Sequence, residues 1–276
     1  MKSIVFVYAA CMMVLSSCKL AKTSSEFHES TCEKIDKVDT TEVFQTQTEI
    51  NEECYDMYQE DQDSVDNETL LLLKALPKHQ SELKRERTAW EKYLSAVKAV
   101  ATQVDQGSSS PMYVNDVLRQ ALKLRSISQH GLYLQTQGVN ISFSKTNFTP
   151  DMISEAYSAF INAVGEDEYN DKKADYQKAL QKEQGCWDEW MECRESVSKK
   201  LIGDEKDVYD KSSNQMMRTK LYQLKNQNQG LGMGRQEIFD CALPSNCSDK
   251  ALLEYPGFNN VWARHCKDTD WYPVFE

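Results

Sequence analysis

Hydrophobic positions between residues 30 and 228 recur mostly at the spacing of one face of a helix. The first long stripe repeats every seven residues and consists of Leu83, Trp90, Val97 and Val104. Because side chains at this spacing lie on the same side of a helix, the stripe predicts a long helix with one apolar face. A second long stripe has the same form and consists of Leu180, Trp187, Trp190, Val197 and Leu201.

A shorter apolar stripe after residue 149 predicts a further helix. Its members are Met152, Ile153, Tyr157, Phe160, Ile161 and Val164. Thr149 and Pro150 precede the stripe and favour a helix start at this point. A threonine side chain can accept a hydrogen bond from a free backbone N–H group, and proline suits the first helical position.

The two long stripes are related to each other by a constant spacing. An offset of 97 residues matches Leu83, Trp90, Tyr93, Val100 and Val104 to Leu180, Trp187, Trp190, Val197 and Leu201. Further along, an offset of 99 matches Asn115, Arg119 and Leu122 to Asn214, Arg218 and Leu221. The sequence therefore predicts two similar helical units, over residues 30–128 and 150–228. The alternative is that unrelated amphipathic helices share only their periodicity.

Residues 129–149, between these units, are predicted to form a small extended hairpin or loop. Apolar and polar residues alternate here, which is typical of a strand. The segment contains three aromatic side chains that are candidates for contact with a partner, Tyr133, Phe143 and Phe148. The alternative is that the segment packs against the helices and closes the bundle.

The chain changes character after residue 228. Residues 229–276 are rich in glycine, proline, cysteine and tryptophan, and we expect a tail that disulfide bonds staple to the helices. The predicted fold class is therefore all-α: a helical bundle of two similar units, with a small extended hairpin between them and a disulfide-stapled C-terminal tail.

The first eighteen residues form an N-terminal address. Lys2 precedes an apolar run from Ile4 to Leu15, and the run ends in Leu15-Ser16-Ser17-Cys18. This ending resembles a bacterial lipobox, which implies removal of residues 1–17 as a signal peptide and attachment of lipid to Cys18. Residues 18–29 are then a polar tether. The alternatives are an ordinary secretory signal or a short transmembrane anchor, although about a dozen apolar residues are few for roughly 30 Å of hydrocarbon.

The lipobox resemblance also implies a location. A lipidated Cys18 places the protein in the bacterial cell envelope, anchored to a membrane through its lipid. Lys19 follows Cys18 in place of the aspartate that retains enterobacterial lipoproteins in the inner membrane. The expected location is therefore the outer membrane.

The chain is acidic, with a formal charge of −11 that includes Lys2 of the predicted signal peptide. Such a surface repels nucleic acid and anionic lipid and attracts cationic proteins. We therefore expect no nucleic-acid partner and favour a basic protein. The alternative is that acidity serves only to keep an exported protein soluble.

The cysteines of the exported part predict disulfide bonds, because the compartment is oxidising. Cys32 and Cys54 are the two in the first half, so we expect them to pair. Cys186 and Cys193 are seven residues apart, which separates them by about 10 Å along a helix, too far for a bridge. Each then needs a partner in the C-terminal group, which consists of Cys241, Cys247 and Cys266.

Catalytic and metal sites are not indicated by the sequence. His28, His79, His130 and His265 are the histidines of the chain, and none lies in a recognisable catalytic motif. The Cys241 and Cys247 pair near His265 has a wider spacing than the close cysteine pairs of structural zinc sites. We therefore expect no catalytic residue, no metal and no cofactor, and favour a binding protein over an enzyme.

One segment of the first unit reads Arg87-Thr88-Ala89-Trp90-Glu91-Lys92-Tyr93. It resembles the core Gln-Arg-Ala-Trp-x-x-Tyr/Phe-Arg of the LprI-type lysozyme-inhibitor family, a group of small secreted or lipid-anchored helical proteins. Residues 184–190 are a looser match, and Leu94 stands where the family has arginine. The resemblance implies an envelope lipoprotein that binds and restrains a cationic lysozyme. The alternative is a structural or assembly lipoprotein of the envelope without enzymatic activity.

Overall fold

The computed structural model of the chain describes residues 45–104, 107–143, 147–167 and 170–228. These residues form six α-helices and contain no strand, so the all-α prediction is confirmed for this part of the chain. A short 3-10 turn, Pro77–His79, separates the first two helices. The helices are α1 Gln47–Ala75, α2 Gln80–Val104, α3 Ser110–Thr136, α4 Pro150–Glu166, α5 Lys173–Ser198 and α6 Gly203–Asn228.

Local sequence signals set the starts of α1 and α4. At α1, Thr46 and Glu49 form a reciprocal cap, in which the Glu49 carboxylate accepts from the Thr46 backbone N–H at 2.6 Å. The Thr46 hydroxyl in turn accepts from the Glu49 backbone N–H at 3.3 Å. At α4, the Thr149 hydroxyl accepts from the Met152 backbone N–H at 3.5 Å. The predicted cap at Thr149 is therefore confirmed.

The helices pack in a connected bundle in which α3 and α5 lie against several neighbours. Helix α1 packs on α3, and α2 packs on both α5 and α3. Helix α4 packs on α5 and α6, while α6 also packs on α3. Helices α1 and α2 are thus brought together mainly by α3, on which both of them pack.

Helices α2 and α5 meet through an aromatic cluster at the centre of the core. The ring centroids of Trp90 and Trp190 are 4.8 Å apart, and those of Tyr93 and Trp187 are 5.3 Å apart. Tyr93 also stacks on Trp190 at 5.3 Å. These rings are buried from solvent, so the two long stripes predicted from the sequence contact each other directly.

The prediction of an extended hairpin is wrong for residues 129–136, which form the last turns of α3. Leu132 and Leu134 are both 0% exposed. Because α3 has helices packed around it on several sides, residues two apart can both be buried, which imitates the alternation of a strand. Helix α3 is followed by Gly138, whose φ of 79° favours glycine. Residues 139–143 and 147–149 have no regular secondary structure.

Several predictions concern residues outside the described ranges. These are lipidation of Cys18, the tether 18–29, and the cysteine-containing tail 229–276. They stay predictions. No helix in the described part combines the length and the apolar character that crossing a membrane requires.

Candidate functional site

A buried carboxylate on α2, Glu86, joins three helices. Both nitrogens of the Arg125 fork, on α3, donate to its two oxygens at 2.8 Å each. The indole N–H of Trp190, on α5, donates to the same carboxylate at 2.5 Å. A second cation, Arg194 on α5, lies 3.7 Å away. Glu86 therefore ties α2 and α3 to α5 through charge-assisted hydrogen bonds.

The two arginines keep Glu86 ionised. Burial by itself would raise the pKa of this carboxyl, but the adjacent Arg125 and Arg194 outweigh burial and lower the pKa below its usual value. Arg194 is held in turn by hydroxyl groups, donating to Ser213 and Ser128 at 2.9 Å each. The network is thus part of the buried framework that joins α2, α3, α5 and α6.

A second buried ion pair borders the aromatic cluster. The Lys220 ammonium on α6 donates to the Glu183 carboxylate on α5. The ammonium also lies over two aromatic rings, 5.6 Å from the centroid of Tyr93 and 5.1 Å from that of Tyr157. This cation therefore combines a buried carboxylate partner with two cation–π contacts.

A cleft opens between α1 and α2, over the part of α3 that carries Arg125. Its walls include Val65 and Leu94, and its accessible volume is about 90 Å³. At its rim, Arg87 bridges α1 and α2 by pairing with Asp66 at 2.8 Å. Arg125 lines the cleft with a guanidinium that is 1% exposed, and its Nε has no hydrogen-bond partner among the described residues.

The outer face of α1 is strongly acidic. The first basic residue of this helix is Lys74, close to its end. Carboxylates at spacings of three, four and seven residues form one exposed stripe, the α1 acidic stripe, which consists of Glu49, Glu52, Glu53, Asp56, Glu60 and Asp63. Its neighbour Asp61 faces inward and pairs with Arg119 of α3 at 2.8 Å. The stripe can attract a cationic surface.

The aromatic residues predicted to contact a partner lie against the helices. Phe143 is 2% exposed, so it packs within the molecule and offers no surface to a partner. Tyr133 is half-buried against the apolar cluster around Leu132, and Phe148 is half-buried against the main core. The structure does not bring the three rings to one exposed face.

The described cysteines lie on two helices. Cys54 is on α1 and half-buried, and its expected partner Cys32 lies outside the described residues. Cys186 and Cys193 are both on α5, and neither forms a disulfide within the described part of the chain. Their pairing with Cys241, Cys247 or Cys266 stays a prediction.

His130 on α3 is buried and lies beside a buried carboxyl group. Nδ1 of His130 is 3.9 Å from the Glu68 carboxylate, and burial lowers the pKa of His130 to about 4. Burial also raises the pKa of Glu68 to about 8, despite a hydrogen bond from Ser126 at 2.9 Å. Both groups are therefore neutral at pH 7. The described residues contain no cluster of His, Cys, Asp and Glu that could hold a metal ion.

Comparison of the chain with protein-family models, with curated proteins and with solved structures finds no match. The resemblance to the LprI-type family therefore stays a prediction that rests on the segment around Trp90.

Sequence reasoning missed Glu86, Arg125 and the cleft. A signal for Glu86 was available, because it lies between Leu83 and Trp90 on the apolar face of its stripe. A carboxylate in such a place requires a buried partner. The α1 acidic stripe could also have been predicted, because its carboxylates recur at helical spacing. The cleft between α1 and α2 could not, because it arises only when the helices pack.

Proposed function

We propose that the chain is a membrane-anchored lipoprotein of the bacterial envelope that binds a cationic protein, with an animal-type lysozyme as the first candidate partner. The observation that carries this proposal is the α1 acidic stripe. Its six carboxylates are exposed, and they extend over about 21 Å of helix at 1.5 Å per residue. Attraction of this kind acts mainly on the rate and the selectivity of association.

The stripe suits a partner that approaches from outside the bundle. Asp56, Glu60 and Asp63 are all exposed on α1, which packs on α3 through its opposite side. At physiological salt the Debye length is about 8 Å, so a partner must dock closely to benefit from these charges. A specific complex would therefore bury part of α1, and its affinity would survive moderate salt.

We further propose that the bundle consists of two similar three-helix units, α1 to α3 and α4 to α6. At the offset of 97 residues, Trp90 corresponds to Trp187 and Tyr93 corresponds to Trp190. The contact of Trp90 with Trp190 then has its reciprocal in the contact of Tyr93 with Trp187. Reciprocal contacts of this form are characteristic of two like units related by a twofold axis.

Two further pairs support this arrangement. Lys92 and Glu189, which are 97 residues apart, form an ion pair at 2.6 Å. The two buried carboxylates, Glu86 and Glu183, are also 97 residues apart, and each pairs with a cation from the last helix of its unit. The spacing between those cations, Arg125 and Lys220, is about one helical turn shorter than the offset of 99 residues.

The function is tested by titrating the chain from Lys19 to Glu276, produced in an oxidising compartment, against animal-type lysozyme acting on cell-wall substrate. The titration is run at low salt and at about 0.15 M salt. Saturable inhibition at both salt concentrations supports a specific lysozyme-binding protein. Inhibition that disappears at the higher salt is attraction of unlike charges alone, and it contradicts the proposal, as does a lack of inhibition.

A structural or assembly lipoprotein is the second candidate. Leu70 and Leu71 are adjacent on α1 and 50% and 40% exposed. Adjacent exposed apolar side chains are typical of a surface that a partner covers, which here would be another envelope component. The test is whether the chain associates with itself or with an envelope component, and whether the double variant Leu70→Gln with Leu71→Gln abolishes that association. Association that the double variant abolishes, together with no inhibition of lysozyme, would favour this function over the first.

A further inference from the structure

Two adjacent apolar side chains are exposed near the end of α1. Leu70 and Leu71 are 50% and 40% exposed. The side of α1 that faces into the bundle is formed by other residues of the same helix, and it includes Val65, Thr69 and Leu72, which are buried. The two leucines therefore project into solvent instead of into the bundle.

Two exposed lysines follow these leucines along the chain. Lys74 is four residues after Leu70 and three after Leu71, so it adjoins both of them on the surface of the helix. Lys78 is exposed on the 3-10 turn between α1 and α2. The leucines are thus bordered by positive charge on the side toward the end of the bundle.

A third exposed lysine, Lys84 on α2, lies across from Leu70. The Gln80 side chain donates to a backbone carbonyl of α1 at 3.0 Å, and Arg87 pairs with Asp66 of α1 at 2.8 Å. Both contacts lie on the side of α2 that faces α1, and Lys84 is between them at helical spacing. On α1, Leu70 in turn lies between the two residues that are contacted.

The charges of the three lysines are not balanced by carboxylates among the described residues, with which they form no ion pair. Asp66 is paired across the cleft, and Glu68 is buried. Glu82 lies on the opposite side of α2, where it is attracted to Lys200. The surface around the two leucines is therefore locally positive, although the chain as a whole is acidic.

We propose that this surface, the leucine–lysine patch, docks on an anionic lipid surface. The patch consists of Leu70, Leu71, Lys74, Lys78 and Lys84. Exposed apolar side chains flanked by cations suit the boundary of a bilayer, where leucines enter the acyl region and lysines reach the phosphates. The long stems of lysine allow this, because their apolar part can be buried while the ammonium stays at the head groups. A lipid surface also requires no shaped pocket, which suits side chains that project from the end of a bundle.

The α1 acidic stripe does not prevent such docking. Asp63, its nearest member, is seven residues from Leu70, which corresponds to about 10 Å along the helix. This distance exceeds the Debye length of about 8 Å at physiological salt, so repulsion between the stripe and the lipid is largely screened. The stripe extends from Asp63 toward the start of α1, away from the patch. The two surfaces can therefore bind different partners.

The test is co-sedimentation of the chain from Lys19 to Glu276 with lipid vesicles at about 0.15 M salt. This chain lacks Cys18, so any binding is separate from the predicted lipid anchor. We expect binding to vesicles of equal parts phosphatidylglycerol and phosphatidylcholine, and much weaker binding to phosphatidylcholine alone. No binding to the anionic vesicles, or equal binding to both kinds, overturns the proposal. Binding to poly-L-glutamate but not to anionic vesicles also overturns it, and assigns the patch to an acidic protein.

Variants of the patch show whether it makes the contact. We expect Leu70→Gln with Leu71→Gln to weaken vesicle binding by about tenfold or more, and Lys74→Gln, Lys78→Gln and Lys84→Gln together to do the same. All five positions are exposed, so the variants should fold. Vesicle binding that both sets of substitutions leave unchanged overturns the proposal.

Matched substitutions elsewhere provide the controls. Lys98→Gln, Lys178→Gln and Lys182→Gln remove the same charge from exposed positions of α2 and α5. Val104→Gln removes an exposed apolar side chain at the far end of α2. Both controls should bind vesicles as the unaltered chain does, and losses equal to those of the patch variants would contradict a role for the patch. The lysozyme titration contains no vesicles, so the two proposals fail separately.

Discussion

The ring of Tyr93 stacks on the ring of Trp190 with their centroids 5.3 Å apart and their planes inclined by 19°. The two residues are 97 positions apart, which is the spacing that relates the two long apolar stripes of the sequence. The contact therefore joins matching positions of α2 and α5 at the centre of the bundle. Aromatic pairs contribute about 0.5–1.5 kcal/mol beyond the area they bury, so this contact stabilises the packing of α2 on α5.

Trp190→Phe separates the role of the ring from that of the indole N–H group. Phenylalanine retains an aromatic side chain but removes the donor to Glu86, leaving that buried carboxylate with one bond fewer. We expect the free energy of unfolding to fall by about 1–3 kcal/mol in urea denaturation. Trp187→Phe is the control, since the Trp187 ring packs in the same cluster. An equal loss for both variants would show that the hydrogen bond contributes little.

Glu86→Gln removes the charge that balances two buried arginines. Arg125 and Arg194 both lie against this carboxylate, and breaking a buried ion pair from one side costs about 3–5 kcal/mol. Glu183→Gln leaves a single buried cation, Lys220, with a neutral partner. We therefore expect Glu86→Gln to lower the urea midpoint more than Glu183→Gln does. The reverse order would contradict the central role given to Glu86.

Glu68→Gln changes how stability depends on pH. The pKa of Glu68 is raised by burial to about 8, so the folded state retains a proton that the unfolded chain loses near the ordinary value of 4.5. Stability therefore falls as pH rises between those two values. Glutamine does not titrate, and we expect the variant to gain stability relative to the unaltered chain as the pH goes from 5 to 8. Urea unfolding at several pH values measures this, and a constant difference would refute it.

The exposed pair of Lys92 with Glu189 should contribute little to stability. Its side chains are 53% and 46% exposed, and water screens such pairs effectively. Exchanging the two charges, Lys92→Glu with Glu189→Lys, should leave the melting temperature unchanged within the error of calorimetry. A large loss would mean that the junction between α2 and α5 depends on the direction of this pair.

The amphipathic helices could be predicted because their signal is local. The seven-residue stripes around Trp90 and Trp187 became α2 and α5, and Thr149 with Pro150 marked the start of α4. The hairpin failed because Leu132 and Leu134 are buried on different sides of a central helix. The alternation of apolar and polar residues then reflects the neighbouring helices, which a short segment of sequence does not reveal.

The candidate sites could not be predicted, because their residues are distant in sequence and meet only in the folded bundle. Glu86 is 39 residues from Arg125 and 104 residues from Trp190, so its partners could not be read from spacing. The cleft lies between α1 and α2, which both pack on α3, so it too is formed by helices that only the folded bundle brings together.

The most direct test of the proposed function compares two charge variants in binding to animal-type lysozyme by calorimetry at about 0.15 M salt. Asp56→Asn, Glu60→Gln and Asp63→Asn neutralise part of the α1 acidic stripe. Glu155→Gln, Asp188→Asn and Glu192→Gln remove the same total charge from exposed positions of α4 and α5. We predict that the α1 variant loses at least about tenfold in affinity and that the second variant binds as the unaltered chain does. Equal affinities for the two variants, or no binding by the unaltered chain, would contradict the account.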